Sequence, residues 1–175
     1  MSKSSTRSFR ALTALVVAAG ALLGSGCRHD YRPYSPEAAR SEQVWELGGA
    51  KVEIEVAKDA ASRERGLMFR KDMPADHGML FVYPEPKMLR FWMRNCSIPL
   101  SIAFFEETAD PAKLRVINVD DMQPYVELPG GIAKRPAKYG LEMNQGWFAK
   151  HGIKAGDEIV TPDWIQTIYA SPDAE

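Results

Sequence analysis

Cysteine and histidine are scarce in this chain of 175 residues, which has two of the first and three of the second. Cys27 and Cys96 are too far apart to make a Cys-x-x-Cys pair, and His29, His77 and His151 are isolated. A zinc site of the usual spacing is therefore not expected, and there is no aspartate-rich calcium loop. No Gly-x-Ser-x-Gly elbow and no phosphate-cradling glycine loop occurs, so neither common signature of hydrolysis or nucleotide binding is present. Charge of one sign is missing too: the formal net is −1, and no basic stretch is interleaved with aromatics, so nucleic acid is not an expected partner. Repeats and low-complexity tracts are absent, and nothing calls for a cofactor.

Long apolar runs are few. The longest uncharged run, Ala11 to Leu23, follows a basic leader (Lys3, Arg7, Arg10) and precedes the small residues Gly24, Ser25 and Gly26, which lead into Cys27. These are the three parts of a secretory signal in order. As a helix the run would measure about 20 Å, short of the roughly 30 Å hydrocarbon core of a bilayer, so a cleaved signal is expected rather than a permanent span. Cys27 after small residues resembles the bacterial lipobox, although Gly24 stands at −3, where that motif usually has a larger aliphatic. The expected layout is a signal peptide over 1–26, a lipidated tether over 27–42, one domain over 43–168 and a tail over 169–175. The chain would be exported and held on a membrane through Cys27, on its periplasmic or cell-surface side. A lipidated Cys27 does not bridge to Cys96, so Cys96 is read as a small buried apolar residue.

The domain itself reads as mainly β: a small sandwich or barrel-like antiparallel fold with one or two short helices. Val52, Ile54 and Val56 alternate with Lys51, Glu53 and Glu55, the pattern of a half-buried strand, and Gly48-Gly49 marks a hairpin back to Val44–Leu47. Asp59 is placed to cap a short helix that ends at Gly66. Apolar runs at 79–83, 89–93, 98–105, 114–119, 137–143 and 158–161 give further strands, with helical turns at 145–151. The stretch from Asp121 to Pro136 has no periodicity and reads as a functional or mobile loop.

The segments Arg65-Gly66-Leu67-Met68-Phe69-Arg70, Gly78-Met79-Leu80-Phe81-Val82, Phe91-Trp92-Met93-Arg94-Asn95 with Ile98-Pro99-Leu100, and Gly146-Trp147-Phe148-Ala149-Lys150 occur in this order, followed by Ile153-Lys154-Ala155-Gly156-Asp157. Together they resemble the bacterial and archaeal family called domain of unknown function 192, over nearly all of 44–160. The resemblance implies a compact, mostly β fold and brings no activity, cofactor or catalytic residue. Two departures stand out. Cys96 replaces a frequent Thr, and Ser101 replaces a frequent Asp, so a carboxylate acting at that position would be lacking here.

Candidate binding residues are Arg65, Arg70, Trp92, Arg94, Asn95, Glu142 and Asn144. Trp92 to Asn95 offers stacking, charge and hydrogen bonding at one place, against the plainer reading of rim packing and a turn. Arg65 and Arg70 have the planar donors that clamp a carboxylate or phosphate, though surface ion pairs use the same groups. Glu142 and Asn144 share a strand face, which points either to solvent or into a cavity, where burial would raise the Glu142 pKa. Met68, Met79 and Met93 with Cys96 are the soft ligands that Cu(I) would want, but they sit in apolar runs where Met fills the core. The leading expectation is a module that binds a small polar ligand or an envelope protein. Two alternatives are an envelope-acting hydrolase using Glu142 as acid or base, and an assembly factor that acts by contact alone.

Overall fold

A computed structural model describes residues 43–168. The expected signal, Cys27, the tether and the tail lie outside the described residues. In chain order the strands are β1 (Gln43–Leu47), β2 (Ala50–Ala57), β3 (His77–Lys87), β4 (Arg90–Phe91), β5 (Leu100–Glu107), β6 (Lys113–Met122), β7 (Gly131–Ile132), β8 (Ala137–Asn144) and β9 (Glu158–Val160). Three short helices accompany them: α1 (Ala60–Arg65), α2 (Trp147–Lys150) and α3 (Asp163–Thr167).

The opening hairpin is as the alternation predicts. β1 and β2 pair antiparallel, with Trp45 opposite Val52, and the turn uses Gly48 and Gly49, both in the left-handed region. Asp59 caps α1: its carboxylate accepts from the Ser62 backbone N–H at 2.8 Å, while the Ser62 hydroxyl accepts from the Asp59 N–H at 3.2 Å. This cap starts a crossover. β3 returns beside β2 in the same direction, so β2 and β3 are parallel, an exception to the expected antiparallel pairing. The reason is that residues 58–76 intervene, whereas a tight turn can join only antiparallel neighbours.

Seven strands form one sheet in the order β1-β2-β3-β8-β5-β6-β9, and β4 pairs with β7 in a separate two-stranded ribbon. The large sheet curls until its ends approach. Trp45 on β1 donates its indole N–H to the Val160 carbonyl on β9 at 2.9 Å, and Trp164 of α3 donates to the Val44 carbonyl at 3.0 Å. The result is a nearly closed, barrel-like single domain, in agreement with the mainly β reading.

Both faces of this sheet are buried, and they bury different things. One cluster joins Trp45, Ile54, Leu80, Phe105, Val116 and Leu141 with Trp147 and Phe148 of α2 and Ile165 of α3. It draws on every strand of the sheet once the partly buried Ile159 of β9 is included, so this is the face that the curl encloses. The second cluster, on the outer face, packs Met79, Phe81, Leu100, Ile102 and Phe104 under Leu67, Leu89, Phe91, Met93 and Cys96 from the connecting segments. The long 121–136 stretch is part of this cover and is pinned rather than loose. Asn118 holds it at both ends of its side chain, donating to the Ile132 carbonyl and accepting from the Lys134 N–H, each at 3.0 Å; Asp120 accepts from the Ile132 N–H at 3.0 Å. Gly131 makes the close approach possible, since a Cβ there would lie 2.6 Å from Ile102 and 2.9 Å from the Met122 sulfur.

A cleft over a buried glutamic acid

The register of the sheet lines up a row on its outer face. Glu55 pairs with Met79, Met79 with Glu142, Glu142 with Ile102, and Ile102 with Asp120. The carboxylates at the ends of the row are satisfied. Glu55 forms a two-pronged ion pair with Arg70, at 2.6 and 2.5 Å, and Asp120 holds the ribbon. The carboxyl in the middle is different. Glu142 is 4% exposed, and among the described residues no group donates a hydrogen bond or forms an ion pair with it. Burial pushes its pKa up to about 8, because the ionised form has lost its water and gained no counter-charge.

Glu142 opens on a cleft walled by the end of α1 and residues 66–68 on one side and by 90–96 on the other, with Phe81, Phe91 and Leu100 also lining it. Its charged lining, apart from Glu142 and Glu64, is four arginines: Arg63, Arg65, Arg90 and Arg94. The volume is about 90 Å³. That is below the roughly 300 Å³ at which pockets for drug-sized ligands begin, and it is on the scale of a small group such as a carboxylate.

The rim is held by strained backbone. Phe69, Asn95 and Tyr125 are the non-glycine residues with positive φ among those described, at 65°, 54° and 62°. They converge: the Phe69 N–H donates to the Asn95 carbonyl at 2.7 Å, and the Tyr125 N–H to the Cys96 carbonyl at 3.1 Å. Left-handed backbone costs an aromatic residue more than it costs asparagine, and such strain gathers at functional sites.

The sequence candidates divide on this map. Glu142, Arg65, Trp92 and Arg94 line the cleft. Arg65 lies over the Phe69 ring at 5.0 Å and Arg94 over Trp92 at 5.6 Å, so each cation is steadied by an aromatic face. Asn95 turns the chain at the rim, with its side chain 3.9 Å from the Met68 sulfur. Arg70 is engaged with Glu55 and anchors the 66–70 wall, which the Ser97 hydroxyl also grips through the Arg70 carbonyl at 2.7 Å. Asn144 does not line the cleft. Its amide donates to the Pro74 carbonyl at 2.8 Å, with Met73 and Ala75 also in reach, and so ties the crossover to the end of β8. Arg63 and Arg90 were missed by sequence reading, because nothing in their own segments marks them; only the fold brings them to Glu142.

Cys96 is buried and burial pushes its thiol pKa up, which keeps it protonated and unreactive. Met79, Met93 and Cys96 pack together in the outer core as apolar filling, and among the described residues no cluster of His, Cys, Asp and Glu suits a metal. Ser101, the position where an Asp is frequent, sits on the enclosed face. Its hydroxyl donates to Asp121 at 2.5 Å and accepts from the Gly146 N–H at 2.8 Å. Asp121 lies directly across the strand pair from Ser101.

Two solved structures share the architecture. A protein of unknown function from Novosphingobium aromaticivorans DSM 12444 is 37% identical with a TM-score of 0.57, over 68% of this chain and 81% of that one. A protein from Sinorhizobium meliloti 1021, provisionally described as a transcription regulator, is 29% identical with a TM-score of 0.57, over 64% and 82%. A search of curated proteins finds no match. The model of the DUF192 family, described as an uncharacterized ACR, matches residues 43–161. With more than half of its length matched, the chain belongs to the family of domain of unknown function 192.

Proposed function

We propose that this domain binds a small anion, a carboxylate or a compound of that size bearing one, in the cleft over Glu142. One observation carries the reading: a buried, unpartnered carboxyl forms part of a small cleft whose other charged lining is four arginines and Glu64. With a pKa of about 8 the carboxyl is protonated at neutral pH, so it presents an O–H donor. Guanidinium groups elsewhere in the cleft lining have donors in the planar geometry that carboxylate oxygens match. Above pH 8 the same group carries a negative charge and repels an anion.

The test is a thermal-shift panel of acetate, formate, phosphate and short dicarboxylates with the full chain at pH 6.5 and pH 9. A ligand at 100 times its Kd adds about 2.7 kcal/mol to stability. The expected hit weakens between the two pH values, is lost in Glu142→Leu and is reduced in Arg94→Ala. Glu142→Gln, which keeps a donor but does not titrate, is expected to bind with no such pH dependence. A panel with no shift, or a hit that ignores Glu142→Leu, would sink the proposal.

In this reading the domain works outside the cytoplasm, held by a lipid on Cys27, which is supported by the basic leader, the apolar run and the small residues before that cysteine. Metabolic labelling with palmitate is expected to mark the wild-type chain and not Cys27→Ser; equal labelling of both would remove the anchor. A second reading has Glu142 as a general acid, favoured by a pKa close to neutral. It requires that a bound compound be turned over by the wild type and not by Glu142→Gln.

A further inference from the structure

We propose that the ribbon made by residues 88–94 and 125–132 is a docking face for a lipid surface carrying anionic headgroups. The first segment alternates strictly: Leu89, Phe91 and Met93 are buried in the outer core, while Met88, Arg90, Trp92 and Arg94 are exposed. Its outward side therefore reads apolar, cationic, aromatic, cationic. The second segment lies against it. The Met93 N–H donates to the Val126 carbonyl at 2.8 Å, the Gly130 N–H to the Phe91 carbonyl at 3.0 Å, and Arg90 pairs with Ile132. This segment carries Tyr125, 66% exposed, and Leu128, 77% exposed.

Single exposed apolar side chains are ordinary on protein surfaces; a contiguous set on a pinned ribbon is not. Charge complementarity selects the occupant. Residues 88–94 contain no acid, and Glu127, the one acidic residue in 125–132, lies 3.9 Å from Arg94 in an exposed pair, so the ribbon sets two arginines against one glutamate. The domain as a whole is acidic, with eighteen Asp and Glu against sixteen Lys and Arg between residues 43 and 168. Trp and Tyr settle at the headgroup level of a bilayer, where their rings meet hydrocarbon and their polar edges meet water. Arginines beside them pair with phosphate and gain from the negative potential of an anionic leaflet. The ribbon is held from beneath by Asn118 and Asp120, so its outward side chains are presented on a fixed backbone. Arg90, Trp92 and Arg94 also line the cleft over Glu142, so the vesicle measurement that tests docking is repeated in Glu142→Leu, which removes anion binding in the cleft and is expected to leave docking to lipid unchanged.

The full chain, incorporated into vesicles whose acyl chains carry bromine, tests it through tryptophan emission. Trp45 and Trp147 are buried, Trp164 of α3 is half-buried, and Trp92 is 47% exposed, so Trp92 is the indole on the docking ribbon that lipid reaches. The expected result is quenching that deepens when phosphatidylglycerol is added to phosphatidylcholine. Most of that quenching should disappear in Trp92→Phe, and its dependence on phosphatidylglycerol in the Arg90→Gln, Arg94→Gln double variant. Three outcomes would overturn the proposal. One is quenching that is the same in Trp92→Phe as in the wild type. Another is quenching indifferent to anionic lipid. The third is a Trp92 blue shift that grows with protein concentration without lipid, which would mean that a second copy covers the face.

Discussion

The two faces of one sheet have been put to opposite uses. The enclosed face meets side chains from its own strands, α2 and α3 together with Ile153, and Ser101 on it sits between Asp121 and the Gly146 N–H. The outer face is covered by connecting segments, and there the left-handed Phe69, Asn95 and Tyr125, the ion pair of Glu55 with Arg70 and the unpartnered Glu142 lie within one neighbourhood. Strand residues alternate in direction, so each strand contributes to both faces, and what separates them is the material laid on top. The face closed by loops keeps a gap where a carboxyl can stay buried without an ion pair, at a cost in stability.

The sharpest way to break this contrast is to cut into the sealed face. Phe105→Ala should cost about 3–5 kcal/mol in urea denaturation, since it removes a fully buried ring beside Trp45. A loss below about 1 kcal/mol would mean that the enclosed core is loosely packed. On the outer face, Arg70→Ala leaves the Glu55 carboxylate buried without its cation, at a cost on the order of 3 kcal/mol. Replacing both partners together, as Glu55→Leu with Arg70→Met, should cost less than either change alone, and a double-mutant cycle measures the difference.

Glu142 gives the outer face a pH dependence. Its folded pKa of about 8 lies above the ordinary 4.5, so between those values the folded state holds a proton that the unfolded state has released. Stability therefore falls as pH rises through this window and levels off above it. Glu142→Gln should abolish that slope and be the more stable form at pH 9; parallel slopes in the two proteins would show that Glu142 ionises freely. The smallest effect belongs to the ribbon's outward side. Leu128→Ala should change stability by no more than about 0.5 kcal/mol, because the side chain is already in water.

Most of the scaffold was legible in the sequence. The β1–β2 hairpin, the Asp59 cap, the helical turns before Gly152 and the mainly β class all follow from alternation, capping chemistry and glycine placement, which act between near neighbours. Glu142, Arg65, Trp92 and Arg94 were also legible as candidates, each from a short motif. Three things were not: that β2 and β3 run parallel, that Asn144 serves the crossover rather than the cleft, and that Glu142 is buried. Alternation along β8 says that Leu141 and Glu142 point to opposite faces, but it does not say what covers either face. The cover over Glu142 comes from residues 63–68 and 90–96, more than forty positions away along the chain, and their approach depends on the sheet order and on Asn118 and Asp120 holding the ribbon down. Local geometry is fixed by local residues, so the sequence by itself determined the strands and their two faces. The burial that raises the Glu142 pKa is a property of distant segments meeting, and only the tertiary structure decided it.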